Sequence, residues 1–180
     1  GCITNTAIQV TTDPNRIVIA VNKSNYTHDM VKETGRFTVS VLSEEAEFEL
    51  FKRFGFQSGR DVDKFAGFEA YVKKDAGGIP YVTQVTNAWL SCKVVSATDL
   101  GTHTLFLADV LDGGVLSSAP SATYSYYQAH IKPKPGAAAP SEKKRWVCKV
   151  CGYVYEGDEL PADYICPWCK HPASDFELLA

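Results

Sequence analysis

The sequence predicts a mainly β fold with short helices, followed by a small metal-binding domain. Two patterns predict it. Apolar and polar residues alternate in several segments before residue 130, and four of the six cysteines lie near the C-terminal end as two CxxC pairs. The stretch IKPKPGAAAPSEKKR, rich in Pro, Ala and Lys, separates the two regions. We therefore expect a β domain at residues 1–130, a flexible linker at residues 131–145 and a cysteine-rich domain at residues 146–180.

Five segments of the first region have the alternation that is typical of half-buried strands. In chain order they are CITNTAIQV at residues 2–10, RIVIAV at 16–21, RFTVSVL at 36–42, AWLSCKVVSA at 88–97 and THTLFLADVL at 102–111. The last two segments flank a Thr-Asp-Leu-Gly turn, which favours an antiparallel pair. Together the five segments predict an antiparallel sheet or barrel.

Two short helices are predicted between these strands, each bounded by a capping residue and a glycine. They are THDMVKE at residues 27–33 and EEAEFELFKRF at residues 44–54. Thr27 is the predicted N-cap of the first helix, and Gly35 lies beyond its end. Ser43 precedes the second helix and Gly55 follows it.

Composition and missing motifs exclude several classes of function. The net charge is −3 and 22% of the residues are charged, so we expect no nucleic-acid partner. No apolar run approaches the roughly 18 residues that span a bilayer, and no signal segment opens the sequence, so we expect a cytoplasmic protein with no membrane partner. Because neither GxGxxG nor GxxxxGK[ST] occurs, a bound nucleotide would have to be held by the β domain.

The two CxxC pairs predict a tetrahedral metal site, because each short loop brings two sulfurs to one side of a tight turn. The four ligands are Cys148, Cys151, Cys166 and Cys169. A domain of about 35 residues is too small for a hydrophobic core alone, so a metal would stabilise its fold. Spacing alone leaves zinc and iron open, whereas disulfides are uncommon in a cytoplasmic chain.

The residues around these cysteines resemble the rubredoxins. CKVCGYVY and LPADYICPWC match the two metal loops of that family, and ASDFELL matches its C-terminal segment. The resemblance covers residues 146–180 and implies one iron ion held by the four thiolates. Five aromatic residues would form an apolar shell around it. They are Trp146, Tyr153, Tyr155, Tyr164 and Phe176.

The domain departs from free-standing rubredoxins in two ways. The segment between its two loops is shorter and resembles the rubrerythrin-type version. Lys170 also stands where rubredoxins usually have a glycine after the second CxxC pair. We therefore expect Lys170 to adopt an unusual φ or a different turn, at a cost of about 1 kcal/mol.

Three motifs of the first region resemble the flavin reductase-like, FMN-binding split-barrel family. They are VNKSNYTHDMVKETGRFTVSVLSEE, FGFQSGRDVDKFAG and GTHTLFLADVLDG. The resemblance implies a split β-barrel in which short polar side chains line the flavin ring and hydroxyl groups, amides and cations hold the FMN phosphate. The FMN-contacting residues that it implies are Thr4, Asn5, Thr6, Ser24, Asn25, Thr27, Ser58, Arg60, Lys64 and His103. Cys2 and Cys92 are expected to be free thiols in or near the core.

The order of barrel, linker and shortened rubredoxin domain is similar to that of the high-molecular-weight rubredoxins. That resemblance implies electron transfer from NAD(P)H through FMN and iron to a flavodiiron-type oxygen or nitric oxide reductase. It also implies a homodimer. The choice between NADH and NADPH is left open by the sequence, because there is no Rossmann motif in which to read it.

Two alternative functions remain open from the residues alone. The barrel could be a flavin reductase that supplies free reduced flavin to another enzyme, with the cysteine domain as an accessory. It could also be a ligand-binding barrel that carries a zinc-ribbon interaction module.

Overall fold

The computed structural model of the protein describes residues 1–133 and 144–179. The residues group into two compact units, Gly1–Tyr127 and Gln128–Ala180. The predicted linker at residues 131–145 lies mostly outside the described residues. The three-part division into residues 1–130, 131–145 and 146–180 therefore stays a prediction. In the described ranges, no helix is long and apolar enough to cross a membrane.

The first unit is built mainly of β-strands. Its strands are β1 (Ile8–Thr12), β2 (Asn15–Asn22), β3 (Arg36–Leu42), β4 (Val72–Lys74), β5 (Pro80–Val82), β6 (Thr86–Asp99) and β7 (His103–Val115). Its helices are α1 (Tyr26–Thr34), α2 (Phe48–Gly55) and the short α3 (Tyr124–Tyr126), with a 3₁₀ turn at Glu69–Tyr71. A π-helical turn, Tyr127–Ile131, follows α3.

Five of these strands form one antiparallel sheet in the order β1-β2-β7-β6-β3. The small hairpin β4-β5 is tied to β3 by side chains, because the Thr38 hydroxyl donates to the Pro80 carbonyl at 2.6 Å and the Val82 N–H donates to the Ser40 hydroxyl at 2.9 Å. This hairpin closes the sheet on the side where a cavity opens. The mainly β fold predicted from the alternating segments is confirmed.

The core of the first unit follows from the alternation in β2. Its inward residues Ile17, Ile19 and Val21 are buried, and their neighbours Val18 and Ala20 are only half-buried on the other face. The partners of β2 in the core come from α1, β3, β6 and β7 and are Val31, Phe37, Cys92, Phe106 and Ala108. Burying the Ile, Val and Phe side chains of this cluster contributes about 1.5–3 kcal/mol each, so the cluster holds the sheet against α1.

The structure corrects the predicted strand and helix starts. Residues 2–7 are not in a strand, and β1 begins only at Ile8. Helix α1 begins at Tyr26 with Asn25 as N-cap, so the predicted cap Thr27 lies inside the helix. The predicted C-cap Gly35 is confirmed, with φ of 63° and its N–H donating to the Val31 carbonyl.

Helix α2 is shorter than predicted. It begins at Phe48, not at residue 44, because Ser43 is held in a β-bridge with Ser121 and its N–H donates to the Val85 carbonyl at 2.8 Å. Gly55 is its last residue and does not lie beyond its end. The strands β4 and β5 were missed, because each has only three residues and shows no period.

The second unit contains a three-stranded antiparallel sheet in its described residues. Its strands are β8 (Lys144–Cys148), β9 (Val154–Gly157) and β10 (Phe176–Leu179), in the order β10-β8-β9, and a 3₁₀ turn at Ala173–Asp175 leads into β10. Strand β8 runs into the first cysteine pair, and Cys148 lies opposite Phe176 in the register. The cysteine loops therefore lie at one end of the sheet, which we call the metal end. The opposite end, where Lys144 pairs with Gly157, is called the far end.

Candidate functional site

The four cysteines of the second unit converge on one point. The sulfur atoms of Cys148, Cys151, Cys166 and Cys169 all lie within 4.8 Å of one another. Two sulfur pairs, Cys148 with Cys169 and Cys151 with Cys166, are each 3.5 Å apart. That distance is too long for a disulfide, whose S–S bond is about 2.05 Å. It is close to the separation of about 3.8 Å that metal–sulfur bonds of about 2.3 Å give at the edges of a tetrahedron.

Two loops of the same backbone design hold the sulfurs. In the first, the Gly152 N–H donates to the Cys148 carbonyl at 2.8 Å; in the second, the Lys170 N–H donates to the Cys166 carbonyl at 2.9 Å. Gly152 and Lys170 occupy equivalent positions, and both have a positive φ, of 81° and 62°. The expectation that Lys170 takes a conformation normally left to glycine is therefore confirmed.

Backbone N–H groups point at the sulfurs. Burial acts to raise the pKa of Cys148, but hydrogen bonds from the N–H groups of Cys151 and Val150, together with those from the neighbouring thiols, outweigh it and leave this pKa below its ordinary value. The pKa of Cys151 is raised by burial, and burial likewise raises the pKa of Cys169 to about 12. A bound metal cation would have to displace these protons, because the thiolate form is the metal ligand.

Burial differs among the four ligands. Cys148, Cys151 and Cys166 are buried, whereas Cys169 is half-buried. The donor set of four soft thiolates with N–H donors around them fits iron or zinc in a tetrahedron. Among the four ligands, Cys169 is thus the residue most accessible to solvent.

The predicted aromatic residues form a continuous cluster beside the cysteines. Tyr164 contacts both Tyr155, at 4.7 Å between ring centroids, and Phe176, at 5.4 Å. Tyr155 also packs against Trp146, while Tyr153 lies edge-on to Trp168 in the second loop. The cluster runs from the sheet, at Trp146 and Tyr155, to the second metal loop, at Trp168.

A cavity of about 350 Å³ opens in the first unit between the N-terminal segment, α1, α2 and the β4-β5 hairpin. Of the residues predicted to bind FMN, it brings together Thr4, Asn5 and Thr27. Its apolar wall includes Val21 and Val31 of the core. A mostly apolar cavity of this volume with a few polar groups is typical of a small-molecule site.

The predicted residue Thr6 ties the N-terminal segment to the sheet. Its hydroxyl accepts from the Ala20 N–H at 2.9 Å and lies 2.7 Å from the Thr4 hydroxyl. These contacts fix residues 4–6 beside β2, although they are not in a strand.

A second group of predicted residues lies at the start of α1. The guanidinium of Arg60 contacts the Asp29 carboxylate, lies 4.8 Å above the Tyr26 ring and approaches the Ser24 carbonyl at 3.5 Å. The Ser58 hydroxyl accepts from the Arg60 N–H at 3.1 Å. Asn25 is the N-cap of the helix. This group therefore places one cation and several hydroxyl and N–H groups at the first turn of a helix.

The structure places Lys64 differently from Arg60. Lys64 is only 8% exposed, and its ammonium donates to the carbonyls of Gly1 and Phe54, each at 2.9 Å. Burial lowers its pKa. Its charge is thus already engaged by backbone carbonyls in the described structure.

The predicted residue His103 lies at the start of β7, opposite Asn22, where β2 ends. Its Nδ1 lies 2.9 Å from the Thr102 hydroxyl. Asn22 in turn accepts from the Ser24 N–H at 2.9 Å. His103 and the Ser24 turn therefore share one edge of the sheet.

Sequence reasoning missed the buried His28. Its Nε2 lies 2.9 Å from the Thr104 hydroxyl and its Nδ1 lies 3.0 Å from Asp29, so a hydrogen-bonded chain connects β7 to the Asp29 carboxylate and on to Arg60. The hydrogen bond from His28, followed by the effect of Arg60, holds the pKa of Asp29 below its ordinary value. The signal that could have found it is the spacing of His28 and Val31 on the inward face of α1.

Cys2 and Cys92 are free thiols in the described structure, as the sequence predicts. Cys92 is fully buried in the core, and burial raises its pKa to about 12. Cys2 is half-buried and packs against the same core.

Two protein families match the chain. Residues 1–134 match the flavin reductase like domain, and residues 146–177 match the rubrerythrin, rubredoxin-like domain. The high molecular weight rubredoxin of Moorella thermoacetica is 34% identical over 204 residues, covering 98% of this chain and 88% of that protein. The ferric-chelate reductase (NAD(P)H) of Archaeoglobus fulgidus is 43% identical over 134 residues, covering 74% of this chain and 78% of that protein.

A solved structure shows the same fold. The FMN-binding protein of Thermus thermophilus, crystallised with 1-cyclohex-2-enone, covers 89% of this chain and 80% of its own, with a TM-score of 0.59 and 20% identity. At this identity the likeness concerns the fold of the chain.

Proposed function

Because the chain belongs to the flavin reductase-like family and carries a rubredoxin-like domain, we propose that it is an oxidoreductase that passes electrons from NAD(P)H through FMN to an iron ion. The proposed final acceptor is a flavodiiron-type protein. One observation carries the proposal: a flavin reductase domain and a converging four-thiol site occur in the same chain. The flavin would accept two electrons together and release them one at a time, and the iron would carry single electrons.

On the flavin side, the chain would bind the ring and the phosphate with separate groups of residues. Thr4 and Asn5 line the 350 Å³ cavity and would meet the polar edge of the ring. Ser24 and Arg60 lie at the first turn of α1, where a phosphate would gain from N–H donors and a cation. His103, on the same sheet edge, would lie beside this region.

On the metal side, Cys148, Cys151, Cys166 and Cys169 would hold the iron, and the surrounding N–H groups would stabilise the thiolates. The half-buried Cys169 would be the ligand through which electrons leave most easily. The division into a barrel, a linker and a rubredoxin-like domain belongs to the same proposal.

The chain is further proposed to act as a cytoplasmic homodimer. Supporting this, the first unit exposes large apolar side chains on its strands, among them Ile8, Val10 and Leu111. Exposed apolar patches of this kind mark interaction surfaces. Light scattering after size-exclusion chromatography tests the dimer directly, and a mass of 19.7 kDa would exclude it.

An anaerobic visible spectrum of the full-length protein, followed by titration with NADH and NADPH, tests the electron path. We expect both a flavin and a ferric tetrathiolate spectrum, and we expect them to bleach together. The Cys166→Ser variant should lose the iron spectrum, keep the flavin spectrum and lose acceptor reduction. The control Cys92→Ala removes an equally buried thiol outside the cluster and should keep both cofactors.

The outcomes separate the proposal from its two alternatives. If acceptor reduction survives in Cys166→Ser, the protein is a flavin reductase that releases reduced flavin. If the protein contains zinc and shows no electron flow, the barrel is a ligand-binding domain with an interaction module.

The resemblance to the Archaeoglobus fulgidus ferric-chelate reductase favours a second candidate activity, the reduction of ferric chelates by the first unit. This activity would need only the flavin domain. It should therefore be unchanged in Cys166→Ser, whereas transfer to a flavodiiron-type protein should be lost.

A further inference from the structure

We propose that the metal end of the second unit is a docking face for an acidic surface of a redox partner protein. The inference rests on the proposed function, because docking at this end matters only if the iron exchanges electrons with a partner. The docking face consists of Lys132, Lys149, Val150, Ile165 and Lys170.

The net charge of the cysteine-rich region suggests the opposite kind of partner. Residues 146–180 carry two lysines against six carboxylates, and this excess predicts attraction to a basic patch. However, the two lysines lie in the metal loops. Lys149 is inside the first CxxC pair and Lys170 directly follows the second, and both are exposed.

A third lysine reaches the same end from outside the rubredoxin-like match, which begins at residue 146. The ammonium of Lys132 donates to the Val150 carbonyl at 3.3 Å, so its charge lies on the first metal loop. Asp175 lies beside Lys149, because its backbone carbonyl accepts from the Lys149 N–H at 2.8 Å. His171, also exposed, follows Lys170.

Three of the six carboxylates, Glu156, Asp158 and Glu159, lie toward the far end. Glu156 lies opposite Arg145 in the strand register and forms an ion pair with it at 3.5 Å. Asp158 and Glu159 follow Gly157, which lies opposite Lys144 in the register. Glu177 lies one position further from the metal end than Cys148, and Asp163 lies in the loop that returns from the far end to Ile165. Both lysines of residues 146–180 therefore lie at the metal end, whereas the carboxylates are divided between the two ends.

The separation is long enough to matter at physiological salt. The four residue steps from Lys144 to Cys148 span about 13 Å at about 3.3 Å per residue. The Debye length is about 8 Å at 0.15 M salt, so the far carboxylates are largely screened from a partner that docks at the metal end. The thiolates carry charge there, but three of the four are buried and hydrogen-bonded, whereas Lys149 and Lys170 project into solvent.

Apolar residues complete the face. Val150 is 45% exposed and Ile165 is 51% exposed, and each directly precedes a cysteine ligand. An apolar centre with a charged rim is the usual anatomy of a protein interface. A face of about five residues is much smaller than the roughly 20–30 residues a side of a stable complex, and it suits the transient encounters of electron-transfer proteins.

The first test is binding to the zinc-loaded full-length protein, whose metal site cannot transfer electrons. Nuclear magnetic resonance with the paramagnetic anion hexacyanochromate(III) should broaden the amide signals of residues 149–151 and 165–171. The cation hexaamminechromium(III) should instead broaden those of residues 156–159. The double variant Lys149→Gln, Lys170→Asn should reduce the anion effect about threefold or more, the size expected for exposed charges.

Two features make the variants informative. Asn tolerates the positive φ of Lys170, so the change removes charge without adding strain. The control Lys144→Gln removes the same charge from the far end of β8 and should leave the anion effect unchanged. The proposal is wrong if the anion broadens the amide signals of the far end. It is also wrong if Lys144→Gln reduces the broadening by the anion more than the double variant does.

The second test asks whether the face binds a protein. Carbodiimide joins a lysine to a carboxylate in direct contact. It is applied to the zinc-loaded protein mixed with one of two probe proteins. The first is a flavodoxin, which has acidic residues around its cofactor, and the second is cytochrome c, which has lysines around its haem. Cross-links from Lys149 or Lys170 to the flavodoxin support the proposal. Cross-links only from Asp158 or Glu159 to cytochrome c overturn it, and so does anion binding without any flavodoxin cross-link.

These outcomes are independent of the proposed electron path. A protein that binds at the metal end when loaded with zinc but shows no electron flow when loaded with iron would refute the proposed function alone. Normal electron flow without binding at the metal end would refute the docking face alone.

Discussion

The substitution Lys170→Gly should strengthen metal binding by the second unit. Lys170 has a φ of 62°, in the left-handed region that costs a non-glycine residue about 1 kcal/mol or more, and its equivalent in the first loop is Gly152. In a metal domain of this size, metal binding and folding are one equilibrium. Relief of about 1 kcal/mol should therefore raise the apparent metal affinity about fivefold.

The measurement is competition with a chelator on the full-length, zinc-loaded protein, followed by the amide signals of the second unit. The matched control is Lys149→Gln, which removes a positive charge next to the same thiolates where no positive φ has to be relieved. It should leave the affinity unchanged or weaken it, since a cation near the thiolates stabilises them. The reverse change, Gly152→Ala, puts a side chain at a φ of 81° and should weaken binding by a similar factor.

The reasoning fails if Lys170→Gly binds metal no more tightly than Lys149→Gln does. That result would mean that the loop relaxes around Lys170 at no cost. A gain in Lys170→Gly together with no loss in Gly152→Ala would equally contradict it, because the two loops share one backbone design.

Three further predictions concern the first unit. Arg60→Ala should weaken FMN binding about 10- to 100-fold but barely change riboflavin binding, because a charge-assisted hydrogen bond to the phosphate is lost. The control is Lys23→Ala, which removes a cation from another ion pair at the same sheet edge. If Arg60→Ala changes the affinity for both ligands equally in a fluorescence titration, Arg60 does not bind the phosphate. Burial alone would raise the pKa of Asp75, but hydrogen bonds from the Ser91 hydroxyl and two backbone N–H groups hold this pKa below its ordinary value of 3.8. The stability that the Asp75 carboxylate contributes should therefore be present above pH 3.8 and lost as the pH falls through the pKa of the folded state. Asp75→Asn should lack this acid-dependent part in denaturant melts, and identical pH profiles would contradict the assignment. At pH 8, a thiol reagent should modify Cys2 in the metal-loaded protein and leave Cys92 unmodified until the protein unfolds, which mass spectrometry of labelled peptides would show.

The sequence predicted the features that have a strong local cause. Apolar residues alternate with polar or smaller ones in RIVIAV and RFTVSVL, and a strand is the conformation that puts such residues on one face. Both segments are strands in the structure. Helix α1 ends before Gly35, which adopts the left-handed backbone conformation that glycine favours. The paired CxxC loops predicted their own convergence, since both the turn geometry and the four sulfurs are local.

The features it missed depend on contacts between distant residues. The segment at residues 2–7 alternates like a strand, but Thr6 bonds to Ala20 through its hydroxyl, so the segment never pairs as a strand. Helix α2 starts late because Ser43 is drawn into a bridge with Ser121, about 80 residues away in the chain. The hydrogen-bonded chain from Thr104 through His28 to Asp29 likewise exists only after β7 packs against α1, and the cavity forms only when the N-terminal segment, β3 and β5 come together.

Lys132 shows why the predicted linker cannot be treated as a passive tether along its whole length. Composition alone assigned it to a flexible segment, yet its ammonium lies on the carbonyl of Val150 in the first metal loop. A hydrogen bond from a charged group contributes about 1.5–3 kcal/mol when well formed and less when exposed, so this contact holds the loop only weakly. Its larger effect is electrostatic, because it adds a third positive charge beside Lys149 and Lys170. The residues that set the charge of the metal end therefore begin before the rubredoxin-like match does, and the same domain on a different linker would present a different face to its partner.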